Sequence, residues 1–302
     1  MTSVGNNRAE AERVIAMADL VGVGEIGAAA RKAKHGARVT YGRVLALDRG
    51  DVGADTSAVV GADLKVRAQE IQAGEIRITG TPSSAEEAIA WIKTAKGFHA
   101  ENAGHAVLTG FSLFDLVNVA GGDHMVLVEL AQALRAHGLE GVAEVPIDKL
   151  GDDPAEIVRA ILHGGLTARR ATIIEAALGA RLDLIERAES IQRETKAFSA
   201  FAPLPRVDPI DVPSTGYDDV KTIVVTRMLA PSIPSVQVDW VLYGPKLAQV
   251  AIEYGADDID GVAAYDVEKL GVRRSPKADI ERQIRSAFAE PAERNGRYEI
   301  VK

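Results

Sequence analysis

Gly141-Val142-Ala143-Glu144-Val145-Pro146, followed a few residues later by Asp153-Pro154-Ala155-Glu156, reads as a strand feeding a capped helix. Asp153 is a capping residue, Pro154 suits a first helical turn where its missing N–H costs nothing, and Glu156 adds an acid at the positive end of the helix. The same alternation of short apolar runs with amphipathic stretches recurs along the chain. It predicts strands near 38–46, 75–80, 105–110, 141–146, 168–174, 198–203, 236–242 and 258–264. Eight such units predict an α/β fold, a (β/α)8 barrel of the TIM type.

Helix signals fall between the strands. Ser83 or Ser84 can cap a helix with Glu86 or Glu87 three residues on. Leu178, Leu182, Ile185 and Ile191 share roughly one helical face, and Asp183 with Arg187 and Glu189 with Arg193 are favourable pairs four residues apart, expected on the solvent side. Residues 202–213 hold four of the twelve prolines, which excludes a helix and predicts a long loop after the sixth strand, on the catalytic face. No internal repeat or low-complexity segment interrupts the pattern.

The 302 residues are 47% hydrophobic and 26% charged, ordinary values for a soluble globular protein with a full core. A net charge of -8 argues against nucleic-acid binding. No apolar run is long enough to span a bilayer, so membrane insertion is not expected, and Met1 to Arg8 lacks a signal-peptide core; a cytoplasmic protein is expected. The sequence has no cysteine, which excludes disulfides, thiolate nucleophiles and cysteine-ligated metals within it.

Barrel enzymes place ligand-facing residues at the C-terminal ends of strands and in the loops that follow. That rule selects Leu47-Asp48, Thr79-Gly80-Thr81, Phe111-Ser112, Glu144, Thr172, Leu204 and Asp239-Trp240. Glu144 is the catalytic candidate, because a carboxylate enclosed at a strand end can act as general acid or base, with an internal salt bridge as the competing reading. Arg227 could clamp a carboxylate by its planar fork, or form a salt bridge on a helix facing the barrel. Asp257, Asp258 and Asp260 could hold a divalent cation, but the favoured reading is a charged strand entry with one inward acid. The six histidines lack ligand spacing and read as surface or packing residues, so no metal is expected. Gly22-Val23-Gly24-Glu25-Ile26-Gly27 matches a dinucleotide-binding fingerprint, with Asp48 about twenty residues on as the ribose acid. Against it, Ala9 to Leu20 has helical composition where a strand is required.

Longer stretches carry a resemblance. Tyr243-Gly244-Pro245-Lys246-Leu247-Ala248-Gln249, Gly255-Ala256-Asp257-Asp258-Ile259-Asp260-Gly261 and Pro291-Ala292-Glu293-Arg294 resemble the C-terminal part of the aminofutalosine synthase and dehypoxanthine futalosine cyclase family. Glu75-Ile76-Arg77-Ile78-Thr79-Gly80, Gly110-Phe111-Ser112-Leu113-Phe114-Asp115, with Asp115 where the family shows Glu, and Gln192-Arg193-Glu194-Thr195 extend it toward the N-terminus. The resemblance implies a radical S-adenosylmethionine (SAM) barrel of the futalosine route to menaquinone. It also implies N-terminal helices over 1–37 packed on the barrel, the barrel itself over 38–270, and a C-terminal helix and tail over 271–302.

The departures concern the cofactor. Counting on from Val39-Thr40-Tyr41, the family's three cluster cysteines fall at Gly53, Ser57 and Val60, none of which ligates iron as a thiolate does. The glycine pair that meets the SAM methionine moiety is Gly80-Thr81, and the polar loop after Thr172 is replaced by Ile173-Ile174-Glu175-Ala176. The sequence therefore predicts no iron–sulfur cluster, no SAM cleavage and no other cofactor. Three functions remain: a catalytically silent relative that binds a nucleoside-like intermediate or a cysteine-containing sister synthase; a non-radical enzyme on a futalosine-like or chorismate-derived substrate, with Thr79, Gly80, Phe111, Ser112, Thr172, Arg227, Asp239 and Trp240 around Glu144; and an NAD-dependent oxidoreductase built on Gly22 to Gly27.

Overall fold

The computed structural model of the protein describes residues 4–48, 72–102, 105–207, 213–264 and 277–301. Two helices, α1 (Val4–Ala16) and α2 (Leu20–His35), precede the strands β1 (Arg38–Leu47) and β2 (Glu75–Ile78). Then follow α3 (Ala85–Asn102), β3 (Val107–Ser112), α4 (Leu113–Val119), α5 (His124–Ala136), β4 (Gly141–Pro146), α6 (Pro154–His163) and β5 (Arg170–Thr172). The last elements are α7 (Arg181–Thr195), β6 (Ala200–Ala202), α8 (Gly216–Leu229), β7 (Ser235–Asp239), α9 (Trp240–Glu253), β8 (Asp258–Ala263), α10 (Lys277–Ser286) and β9 (Glu290–Arg294).

Strands β1 to β8 pair in parallel in chain order, and β1 pairs with both β2 and β8, so the sheet closes into a (β/α)8 barrel. All eight expected strands are present within a few residues. A ninth, β9, was not foreseen: it pairs in parallel with Arg38–Gly42 of β1, while β2 pairs with Val44–Leu47 on the same edge. Ten residues of β1 thus serve two shorter strands end to end.

The strand residues alternate strictly. In Glu75-Ile76-Arg77-Ile78, Gln237-Val238-Asp239 and Asp258-Ile259-Asp260, the apolar members pack outward into a core between barrel and helices, and the polar members fill the barrel. Ser84 caps α3 through the Glu87 N–H at 3.2 Å, and Asp153 caps α6 with Pro154 in its first turn, both as expected. On α7 the Glu189–Arg193 pair forms, whereas Arg187 donates to the Leu150 and Gly151 carbonyls and Asp183 pairs with Arg8 of α1. Glu189 is buried rather than on a solvent face, because it also accepts from the Ser232 N–H and hydroxyl.

The glycine fingerprint lies wholly within α2, with Asp19 as the N-cap and α1 before it. A dinucleotide site needs a strand–turn–helix there, so the NAD reading is corrected on structural grounds. The glycines serve packing instead: a Cβ on Gly27 would lie 2.1 Å from the Tyr254 carbonyl oxygen, whereas one on Gly24 would make ordinary contact at 3.4 Å. Gly27→Ala is therefore expected to cost about 1–3 kcal/mol by urea denaturation, with Gly24→Ala close to neutral. Equal effects would show that α2 does not dock through Gly27.

Candidate functional site

The C-terminal ends of the strands surround a cavity of about 450 Å³. Its wall divides into two arcs. From β7 through β8 to β1 the lining is, apart from Asp239 at the end of β7, apolar or small: Val241, Leu242, Ala263, Ala264, Leu45 and Ala46. From β2 round to the loop after β6 it is polar: Thr79, Thr81, Asp115, Glu144 and Arg206.

Local backbone geometry aims the polar arc. Phe111, the penultimate residue of β3, has φ of 64°, an unusual conformation for an aromatic residue, and its buried ring meets Trp91 at 5.9 Å between centroids. This twist puts Ser112 at the N-cap of α4, where its hydroxyl accepts from the Phe114 N–H, and carries Asp115 to the cavity wall. Thr81 donates to Asp115 Oδ1 at 3.1 Å. Burial is the main influence on Asp115 and pushes its pKa up, with Glu144 adding to the rise.

Glu144 Oε2 receives the Thr172 hydroxyl at 3.2 Å and pairs with Arg206 Nη2 at 2.7 Å. Oε1 has no partner among the described residues. Arg206 comes from the proline-rich loop, which is fastened by its own N–H to the Ile173 carbonyl and by the Tyr243 hydroxyl to the Pro205 carbonyl. Burial, and then the nearby Arg170, lower the Arg206 pKa; Glu144 and Asp239 offset part of that.

Under the cavity lies a charged floor. Arg77 forks onto Glu75 through Nε and Nη2, both at 2.9 Å, and reaches Asp260 at 2.8 and 3.1 Å. Arg170 bridges Gln237, Asp260 and Asp239 at 2.8, 3.1 and 3.4 Å. From below, Arg294 at the end of β9 binds Asp258 at 2.6 and 2.8 Å and Asp260 at 3.3 Å, with Tyr298 stacked on its guanidinium at 4.0 Å.

Of the residues that sequence reasoning selected, Thr79, Gly80, Thr81, Phe111, Ser112, Glu144 and Asp239 line the cavity together. Thr172 stands behind Glu144, to which it donates. Trp240 does not line it: its indole is buried among Val39, Leu204 and Ile223 in the outer layer. Arg227 is a correction. It lies at the opposite end of the barrel, on Asp257 and on the Gly255 and Pro234 carbonyls, because α8 runs antiparallel to the strands and delivers its last turn to their N-terminal ends. The acidic run is corrected too: both Asp258 and Asp260 point inward, each pinned by arginine. Asp239 spends Oδ1 on the Val241 and Leu242 N–H groups as the N-cap of α9.

Arg77, Arg170 and Arg206 were not anticipated as cavity residues. Strand alternation set the first two apart from their apolar neighbours without saying which face is inside; Arg206 had only its place after the sixth strand as a signal. Gly53, Ser57 and Val60 lie outside the described residues. Among the described residues no group of three or more His, Cys, Asp or Glu is arranged to hold a metal, and no helix is long and apolar enough to cross a membrane.

No family model matches the chain. Among curated proteins it is similar to an aminodeoxyfutalosine synthase of Streptomyces coelicolor, 34% identical over 143 residues, covering 40% of this chain and 37% of that protein. An aminodeoxyfutalosine synthase of Thermus thermophilus is 29% identical over 136 residues, with 40% and 37% covered. A 5-amino-6-(D-ribitylamino)uracil–L-tyrosine 4-hydroxyphenyl transferase of Methanothermobacter thermautotrophicus is 33% identical over 137 residues, with 40% and 36% covered. The chain spans little more than a third of the length of these relatives. In fold it is similar to methylornithine synthase, with TM-score 0.62 and 11% identity over 96% of this chain and 97% of that one. The hydrogenase maturase HydG gives TM-score 0.62 and 13% identity over 96% and 74%. The resemblance read from the sequence therefore stands: the homologues of this chain include aminodeoxyfutalosine synthases, and its barrel is similar in fold to those of methylornithine synthase and HydG.

Proposed function

We propose that this protein is a cluster-free relative of aminodeoxyfutalosine synthase that binds a nucleoside-type intermediate of the futalosine route to menaquinone, in the cytoplasm and without radical chemistry. The carrying observation is the divided cavity. An apolar arc of Val241, Leu242, Ala263, Ala264, Leu45 and Ala46 suits the face of a planar base, and the arc of Thr79, Thr81, Asp115, Glu144 and Arg206 suits sugar hydroxyls and ring heteroatoms. A volume of about 450 Å³ accommodates a ligand of that size. A concave site of this size favours a small ligand over a docked partner synthase.

The residues do not fit the cofactor that the relatives imply. An iron–sulfur cluster of this kind is held by thiolates, and the 302 residues offer none; Gly, Ser and Val stand at the three equivalent positions. Thr81 also places a side chain on Asp115 at the strand end where a glycine would leave backbone open. A second reading, a non-radical enzyme on the same class of ligand, is favoured by Glu144, whose Oε1 has no partner among the described residues and whose Oε2 is oriented by two donors.

A thermal-shift series against futalosine, dehypoxanthine futalosine, aminofutalosine, SAM and NAD tests the proposal. A futalosine-type nucleoside at a hundred times its Kd is expected to stabilise the fold by about 2.7 kcal/mol, with no shift from SAM or NAD. Anaerobic incubation with iron and sulfide that produced a reducible cluster and 5'-deoxyadenosine release from SAM would overturn it.

A further inference from the structure

The ligand face of the barrel is held in place from the opposite end, by a segment no part of which reaches the cavity. Arg77 and Arg170 line the cavity, and both guanidiniums rest on Asp260. Asp260 and Asp258 are wholly buried on the same strand, two residues apart, and Arg294 is the group that spans them from below. Arg294 is itself 1% exposed and belongs to β9, whose pairing with the first half of β1 fixes its height in the barrel.

The wall is built to admit it. A Cβ on Gly42 would lie 2.5 Å from Arg294 Nη1, so this strand position accepts the guanidinium only as glycine. Opposite Gly42 the β1–β8 register slips at Asp260-Gly261, with Gly261 at φ of 75°, a bulge beside the inward Asp260. A Cβ on Gly74 would lie 3.0 Å from the Arg294 carbonyl oxygen and from Asn295 Cα, and one on Gly296 2.9 Å from the Val107 side chain. Below the guanidinium, Tyr298 stacks at 4.0 Å and its hydroxyl accepts from Gln237, which in turn accepts from Arg170 Nε. Arg294 therefore reaches Arg77 and Arg170 through Asp260, and Arg170 also through Tyr298 and Gln237.

We propose that Arg294 is a positioning residue for the ligand site: carried in by β9, it neutralises the Asp258–Asp260 pair so that Arg77 and Arg170 stay extended toward the cavity. With Arg294 withdrawn, two adjacent carboxylates lose their common partner and draw those guanidiniums down, or one carboxylate takes up a proton. The inference rests on the cavity being a ligand site, and its test separates the two. The Nε–Hε signals of Arg77 and Arg170 would be recorded by NMR, without ligand, in wild type, R294K, R294Q and G42A; futalosine affinity would be measured by calorimetry between pH 5 and 8. G42A keeps every charge and only displaces Arg294, so it remains informative if R294Q fails to fold.

The expected result is displaced Arg77 and Arg170 signals in G42A and R294Q, with futalosine affinity lower by about tenfold or more, as is usual when the support behind a binding group is lost. R294K is expected to recover part of both. R294Q, or G42A in its place, is expected to gain a pH dependence absent from wild type, binding better toward pH 5 as the stranded carboxylate is protonated. Unmoved arginine signals in G42A and R294K would overturn the inference. Displaced signals in a protein that binds no nucleoside would instead overturn the ligand reading and leave the role of Arg294 standing.

Discussion

Asp260→Asn is expected to cost about 3–5 kcal/mol of stability at pH 7, among the largest losses available to a single substitution in this chain. Asp260 is wholly buried and contacted by three guanidiniums, so neutralising it leaves Arg77, Arg170 and Arg294 in the barrel with one acid fewer. Burial by itself favours the neutral acid, but Arg170, Arg77 and Arg294 overturn that preference and hold the carboxyl well below its usual pKa. A folded pKa below the unfolded value of about 3.9 gives a contribution fully present above about pH 4 and lost as pH falls through the folded value. Urea denaturation should therefore find a constant gap between wild type and variant from pH 5 to 8, narrowing only in more acid solution. A loss under 1 kcal/mol would mean that the floor tolerates rearrangement.

Glu144→Ala is expected to weaken nucleoside binding by about 10–100-fold while costing little stability. Hydrogen bonds to a charged group are worth roughly 1.5–3 kcal/mol, and Glu144 sits at the cavity wall with one oxygen that no described residue contacts. Glu144→Gln keeps the Thr172 contact and the shape but weakens the hold on Arg206, so its affinity should fall between the two. Calorimetric titration of the three proteins with futalosine decides it. Unchanged affinity in Glu144→Ala would confine Glu144 to an internal salt bridge with Arg206, the competing reading of the sequence.

Much of the barrel was legible because each βα unit announces itself locally. Asp153-Pro154 and Ser84 mark helix starts through contacts made within three residues, and the apolar runs mark strands. Strand β9 escaped because Glu290-Pro291-Ala292-Glu293-Arg294 has neither an apolar run nor alternation; it is a strand only because the first half of β1 has an open edge there. Position at strand ends, a rule that follows from topology alone, brought Thr79, Gly80, Thr81, Phe111, Ser112, Glu144 and Asp239 to the cavity wall. It misassigned Trp240, since the chain turns into α9 at Asp239 and throws the next side chain outward. Arg227 was misplaced for a different reason: a resemblance in sequence carries no information about which end of a barrel a helix residue reaches.

The sequence by itself determined the βα rhythm, the alternation within each strand and the lack of any thiolate, because these depend on residue type and near neighbours. It could not say which face of Glu75-Ile76-Arg77-Ile78 or Asp258-Ile259-Asp260 is inside. On an open sheet the charged face would meet water. Only closure of β8 onto β1 turned it inward, where acids from β2, β7 and β8 meet arginines from β2, β5 and β9 at hydrogen-bonding distance. Distances between residues far apart in the chain are set by that closure, and the floor of the cavity consists of such distances.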